Sequence, residues 1–178
     1  MRAFVRQIDT KLTDSILSLP MSLQPFFLLV TTLGHPVVPI AIGVIVVVVG
    51  LVQANMRLAV SGGAIWITLG VGSLLKLAFG RARPQTEYAA NIWLDRLSFP
   101  SGHTTGSTIA YGLLAYFAWQ LLPHPWNYVV AIIFVILIIL IGISRIYLGA
   151  HFPSDVIAGW LLGGVALGLV ILFIRPLA

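Results

Sequence analysis

His151 and Asp155 stand four residues apart across a break between two apolar stretches, and their types suit nucleophilic chemistry. Gly149 is a natural stop for the stretch before, and Pro153 is a natural first-turn residue for the next. His151 is therefore expected in the junction and Asp155 in the first turn of the new helix. A carboxylate one turn from an imidazole accepts a hydrogen bond from one ring nitrogen and leaves the other free to attack. The same pair also suits a capping Asp beside an interfacial His, and spacing leaves both readings open. Arg145 precedes His151 by six positions at the end of the earlier helix. Its guanidinium fork matches phosphate oxygens, or it snorkels to the interface. Ser144 offers a hydroxyl donor or a cap for the last carbonyls.

Two further clusters carry similar chemistry. Pro100-Ser101-Gly102-His103 opens a helix. Ser101 suits the capping position, the free N–H groups at Gly102 and His103 form an anion site, and a histidine there can protonate a leaving oxygen. An ordinary Ser-capped start explains the Ser and Gly but not the His. Lys76 ends another apolar stretch and Arg83-Pro84 follows it, so both cations are positioned to meet one anion. Arg81 is the spare charge, more economically assigned to lipid headgroups.

The elements that position these residues are apolar. Of 178 residues 59% are hydrophobic and 8% charged, with a mean hydropathy of +1.03, which marks an all-α integral membrane protein. Ionisable groups near lipid are costly and hence functional by default, and a large share of the charge lies in the three clusters. Five spans are expected, about Val37 to Val52, Leu58 to Leu77, Thr104 to Leu122, Tyr128 to Ser144 and Pro153 to Ile174. Phe26 to Leu33, ended by Gly34-His35-Pro36, is too short to span and reads as re-entrant or a tilted half-helix; it becomes a sixth span if it crosses. Met1 to Leu19 reads as an amphipathic interfacial helix, with no apolar core directly behind a basic start and hence no cleavable signal peptide expected. Residues 1–34 thus form an interfacial or re-entrant segment, and 1–178 a single membrane-embedded domain. Alternating the spans brings all three clusters to one membrane face.

The remaining features receive plainer readings. The net charge of +5 calls for an anionic partner, lipid headgroups or phosphate rather than nucleic acid, since no basic run is interleaved with aromatics. The lack of cysteine excludes disulfides, thiolate nucleophiles and Cys-ligated metals. Gly102 with Gly106, Gly159 with Gly163, Gly164 with Gly168, and glycines 62, 63, 70, 72 and 142 read as helix-packing positions. In the long polar stretch from Phe79 to Phe99, Trp93, Leu94, Leu97 and Phe99 suit either a small lid or an interface anchor. Glu87, Asp95 and Arg96 read as solvated loop charges, His35 and His124 as interfacial polar residues, and Trp66, Trp119, Trp126 and Trp160 as packing or belt residues.

Taken together, Lys76 with six intervening residues before Arg83-Pro84, then Pro100-Ser101-Gly102-His103, then Ser144-Arg145, five residues, His151, three residues and Asp155 resembles the three-part signature of the type 2 phosphatidic acid phosphatase family. That family also includes vanadium-dependent haloperoxidases and glucose-6-phosphatase-like enzymes. Every signature position matches, and the resemblance runs from about Leu58 to Gly168, so residues 58–168 are the expected catalytic core. It implies that His151 attacks phosphorus to form a phosphohistidine, that Asp155 orients it, and that His103 protonates the departing oxygen and later helps activate water. Lys76, Arg83, Ser101, Gly102 through its N–H, and Arg145 are implied to hold the phosphoryl oxygens. No metal or other cofactor is implied, in keeping with acids that are scattered apart from Asp155.

The expected activity is hydrolysis of a lipid phosphate or diphosphate in the membrane: phosphatidic acid, phosphatidylglycerol phosphate or undecaprenyl diphosphate. Small size and an interfacial N-terminal helix resemble the bacterial undecaprenyl-diphosphate phosphatases. A non-catalytic phospholipid binder or transporter, and a haloperoxidase, are the rival classes. The positive-inside pattern does not favour an external site, because Arg2, Arg6 and Lys11 share the face of the clusters. The resemblance implies an extracytoplasmic active face, in a bacterial inner membrane.

Overall fold

A computed structural model describes residues 2–92 and 95–175. Trp93 and Leu94 of the lid or anchor reading lie outside the described residues, as do the side chains of Arg2, Phe4, Val5, Arg6 and Ile8. The described chain is helical: α1 (Arg2–Leu17), α2 (Gln24–Leu33), α3 (Val37–Val52), α4 (Met56–Phe79), α5 (Glu87–Ala90), α6 (Gly102–Leu121), α7 (Trp126–Tyr147) and α8 (Pro153–Ile174).

Among the described residues four segments are long and apolar enough to cross a membrane: Met21–Val52, Met56–Phe79, Trp126–Tyr147 and Pro153–Ile174. α6 is as long as a span but less apolar, and its position explains why. It packs against α3, α4, α7 and α8, so Thr104, Thr105, Ser107 and Thr108 are buried in protein instead of facing lipid. Each of these hydroxyls donates locally, Thr108 to the Thr104 carbonyl at 2.7 Å for instance, which satisfies the cost of burying it. Around α6 lie two apolar clusters, one centred on Ile65, Ile109 and Leu113, the other on Val30, Tyr111 and Ile141.

α2 does not cross as a sixth span. Four residues before it the Tyr147 hydroxyl donates to the Pro20 carbonyl at 2.8 Å, and just after its end Gly34 lies against Ile141 and His103. α2 has ten residues and is about 15 Å long, roughly half the thickness of a hydrocarbon core. The Gly34-His35-Pro36 break then hands the chain to α3, and α2 with α3 make one broken crossing. α1 packs against α7 and α8 on the same face.

The glycines divide. A Cβ at Gly159 would stand 2.8 Å from Thr104 Cβ, and one at Gly163 would stand 2.6 Å from Thr108 Cβ, so these two let α8 approach α6. Gly106, Gly62 and Gly142 similarly admit Pro39, α3 and Trp160. Gly63, Gly70, Gly164 and Gly168 have open space beside them, and the packing expectation fails there. Motif spacing alone does not say which face of a helix looks at a neighbour.

Candidate active site

Helix ends deliver the three clusters to one place. Lys76 lies in the last turn of α4, which closes at Gly80 with φ +60°. Beyond it, Arg83 reaches across the junction between α7 and α8, donating from Nη1 to the Ala150 carbonyl at 2.9 Å and from Nε to the Asp95 carbonyl at 2.7 Å. Gly149, with φ +68°, ends α7 as the sequence suggests, and its carbonyl accepts from Thr86 Oγ1 at 2.8 Å. That bond ties the junction to the loop that carries Arg83.

His151 is the point where these elements meet. It is 2% exposed, its Nε2 lies 3.0 Å from Arg83 Nη1, and its Nδ1 lies 3.6 Å from Asp155 Oδ2. The first contact requires Nε2 to accept, because a guanidinium only donates. The imidazole is then the Nδ1–H tautomer, with its proton toward Asp155 and its lone pair toward the cations. At 3.6 Å the second contact is longer than a hydrogen bond, as such pairs often are before substrate binds. Burial holds the His151 pKa well below its ordinary value, and the Arg83, Arg145 and Lys76 cations push it the same way.

Asp155 carries both features that spacing left open. Its Oδ2 accepts from the Phe152 N–H at 2.9 Å, closing the N-terminus of α8, and the same oxygen faces His151. Ser101 occupies the N-cap position of α6, but its hydroxyl accepts from Thr104 Oγ1 at 3.0 Å and makes no capping bond to the backbone. Gly102 is the first residue of α6 and lies beside Lys76. His103 follows, within electrostatic reach of Arg145, His151, His35 and Arg83. His35 presents its ring edge-on to His103 at 5.9 Å, so it stands beside the site and not simply at an interface.

Arg145 is 2% exposed and does not snorkel. Its Nη1 donates to Thr31 Oγ1 at 2.6 Å, and its guanidinium lies 5.6 Å from the Tyr88 ring centroid. Ser144 donates at 2.6 Å to the Ile141 carbonyl of its own helix. Two buried nitrogens in the site, Arg145 Nε and His151 Nδ1, have no hydrogen-bond partner.

Three charges depart from their sequence readings. Asp95, expected to be solvated, pairs with Lys76 Nζ and lies 3.2 Å from Arg83 Nη2, so a carboxylate stands where two cations converge. Arg81, expected at headgroups, donates to Asp155 Oδ1 at 2.8 Å and to Asp9 Oδ2 at 2.7 Å. Asp9, on the segment read as an amphipathic interfacial helix, is 4% exposed. Thr31 and Tyr88, which support Arg145, carry no sequence signal beyond their polarity. Glu87 and Arg96 are exposed, as expected of solvated charges.

Beside Lys76 a cavity of about 530 Å³ opens between α3, α4 and α6, lined by Ile40, Leu69, Ser73, Leu97 and Thr105. Lys76, paired to Asp95, thus stands at the edge of a mostly apolar groove that also reaches Gly102.

Residues 57–177 match the PAP2 superfamily. The chain belongs to that superfamily. The chain is similar to phosphatidylglycerophosphatase B of Bacillus subtilis, 38% identical over 106 residues, 58% of this chain and 49% of that protein. It is also similar to undecaprenyl-diphosphatase of Sulfolobus acidocaldarius, 45% identical over 102 residues, 54% of this chain and 45% of that one. The chain spans about half the length of these curated relatives. The crystal structure of a transmembrane PAP2-type phosphatidylglycerolphosphate phosphatase from Bacillus subtilis superposes with a TM-score of 0.82 at 26% identity, over 98% of this chain and 89% of that one. The PAP2 match begins within α4 and covers all three clusters, leaving α1 to α3 outside it.

Proposed function

We propose that this PAP2 protein is a membrane lipid phosphatase that hydrolyses a lipid phosphate or diphosphate through a phosphohistidine at His151. The observation that carries the reading is the setting of His151, buried between a carboxylate on Nδ1 and a cation on Nε2, with two more cations converging from other helices.

In the reaction, the substrate phosphoryl group enters among Lys76, Arg83 and Arg145, with the Ser101 hydroxyl and the Gly102 N–H completing the cradle. Arg83 turns from Nε2 to a phosphoryl oxygen, and the Arg145 Nε gains the partner it lacks. The freed Nε2 lone pair attacks phosphorus as the bond to the lipid oxygen breaks, and His103, which takes up a proton as the anionic phosphoryl group binds beside it, gives that proton to the oxygen. Asp155 faces the Nδ1–H and stabilises the positive charge that develops on the ring. In the second step His103 takes a proton from water, the resulting hydroxide attacks phosphorus, and inorganic phosphate leaves with His151 restored. Phosphate monoesters resist hydrolysis in water, so the rate enhancement rests on a cradle of fixed positive charge.

The apolar groove beside Lys76 suits a lipid tail entering sideways between helices, which supports a lipid substrate over a soluble ester. The names of the relatives support phosphatidylglycerol phosphate and undecaprenyl diphosphate as candidates, with phosphatidic acid the simplest case. Residues 1–178 act as one domain with 58–168 as its catalytic core, in a bacterial inner membrane with the site on the extracytoplasmic face. A phosphate-release panel over these three lipids with purified protein tests the reading. Release from at least one, unaffected by EDTA and inhibited by vanadate, is the expected result. Lipid binding without release from any of them points to a binder or transporter and overturns it.

A further inference from the structure

α1 lies outside the PAP2 match, yet one of its carboxylates is linked through a single side chain to Asp155, the residue that faces His151. The chain of contacts runs through Arg81. Its Nη1 donates to Asp155 Oδ1 at 2.8 Å and to Ser154 Oγ at 2.6 Å, its Nη2 donates to Asp9 Oδ2 at 2.7 Å, and its guanidinium carbon sits 4.2 Å over the Phe152 ring. Asp9 also accepts from the Ser154 N–H through Oδ1 and from the Ser154 hydroxyl through Oδ2, both at 2.9 Å. A residue of α1 therefore caps the first turn of α8 from outside, just beyond His151.

We propose that Arg81, held in place by Asp9, is a positioning residue that fixes Asp155 for its action on His151, making α1 part of the catalytic apparatus. The inference rests on the phosphohistidine reading and deepens it. Both oxygens of Asp155 are accounted for: Oδ1 by Arg81, Oδ2 by the Phe152 N–H and the approach to His151 Nδ1. With both ends of the carboxylate held, its plane cannot rotate away from the imidazole. A planar guanidinium holding two carboxylates imposes this geometry in a way a lysine ammonium does not. Three of the five Arg81 N–H donors go to Asp9, Ser154 and Asp155, which turns the guanidinium toward α1 and the start of α8.

The charge balance points the same way. Arg81 alone beside Asp155 would neutralise the carboxylate that must stabilise a positively charged ring. Asp9 shares the guanidinium, so the three groups together keep one negative charge for His151. Asp9 and Asp155 are 5% and 0% exposed, so Arg81 also compensates two buried carboxylates, and the unfolding midpoint of each variant separates that contribution from orientation.

The test compares full-length wild type, Arg81→Gln, Arg81→Lys and Asp9→Asn in detergent on a lipid that wild type hydrolyses. The readouts are kcat, KM, inhibition by inorganic phosphate, and the unfolding midpoint. A positioning role lowers kcat of Arg81→Gln by about 10–100-fold with KM and phosphate inhibition within about two-fold, since only the interaction at the nucleophile is weakened. Arg81→Lys recovers part of the loss, and Asp9→Asn lowers kcat by about three-fold or more with the same unchanged KM. If Arg81→Gln does not fold, Asp9→Asn, which keeps the arginine, decides alone. A KM raised about ten-fold at unchanged kcat places Arg81 in the phosphate cradle and overturns the proposal. So does an unchanged kcat in Asp9→Asn together with an unchanged or unfolded Arg81→Gln. A wild type that releases no phosphate overturns the phosphatase reading as well, which separates the two failures.

Discussion

At the residue scale, the chemistry turns on a histidine held neutral among cations. Burial and the Arg83, Arg145 and Lys76 charges lower the His151 pKa, so the ring stays unprotonated and nucleophilic at neutral pH and some way below it. The limb of kcat/KM that reports deprotonation of this nucleophile in the free enzyme is therefore expected below pH 6.5, the ordinary imidazole value, and to move upward in Arg83→Gln. A limb above 6.5 that Arg83→Gln leaves in place contradicts the assignment. Asp95 supplies a second test. Its carboxylate occupies Lys76 and Arg83 and so competes with a phosphoryl group for them. In Asp95→Asn, KM is expected to fall by roughly 2–5-fold, the value of a half-exposed ion pair, and a rise in KM runs against the competition. The cations and histidines that meet in the site were legible in the sequence because their types are rare in an apolar chain. Asp95, Arg81 and Asp9 were not, since an acid or arginine in a loop or amphipathic helix has the same sequence context whether it faces water or a partner.

At the scale of elements, the site is assembled from helix ends, and its precision depends on how closely those helices approach. Gly159 and Gly163 set the distance between α8, which carries Asp155, and α6, which opens with Ser101, Gly102 and His103. A Cβ at Gly163 would stand 2.8 Å from the Thr105 carbonyl oxygen, so Gly163→Ala is expected to cost about 1–3 kcal/mol and to lower kcat with it. Gly164→Ala, on an open face one residue away, is expected to stay within about 0.5 kcal/mol. Equal unfolding midpoints for the two variants contradict this division. The spacing of small residues announced close packing, but the choice between Gly163 and Gly164 depends on helix rotation, which an apolar sequence leaves nearly free. The same limit hid the role of α2. Its length and the Gly34-His35-Pro36 break marked a half-helix, whereas the delivery of Thr31 to Arg145 is a tertiary contact across 114 positions.

For the whole molecule, a broken first crossing and four further helices place every cluster on one face, with α1 laid across that face. Lack of cysteine gives a clean background for locating it. Gln85→Cys, exposed beside the site, is expected to react with a membrane-impermeant maleimide on intact cells, and Arg57→Cys at the opposite end only after permeabilisation. The reverse pattern places the active face in the cytoplasm. The central claim, covalent catalysis at His151, is tested most directly by rapid acid-free quenching of purified protein with a lipid whose terminal phosphate is radiolabelled. The expected result is protein-bound label that is stable in base and labile in acid, that maps to His151, that turns over on a chase, and that His151→Ala abolishes along with phosphate release. Phosphate release at the wild-type rate from His151→Ala, or label mapping to another residue, would contradict it.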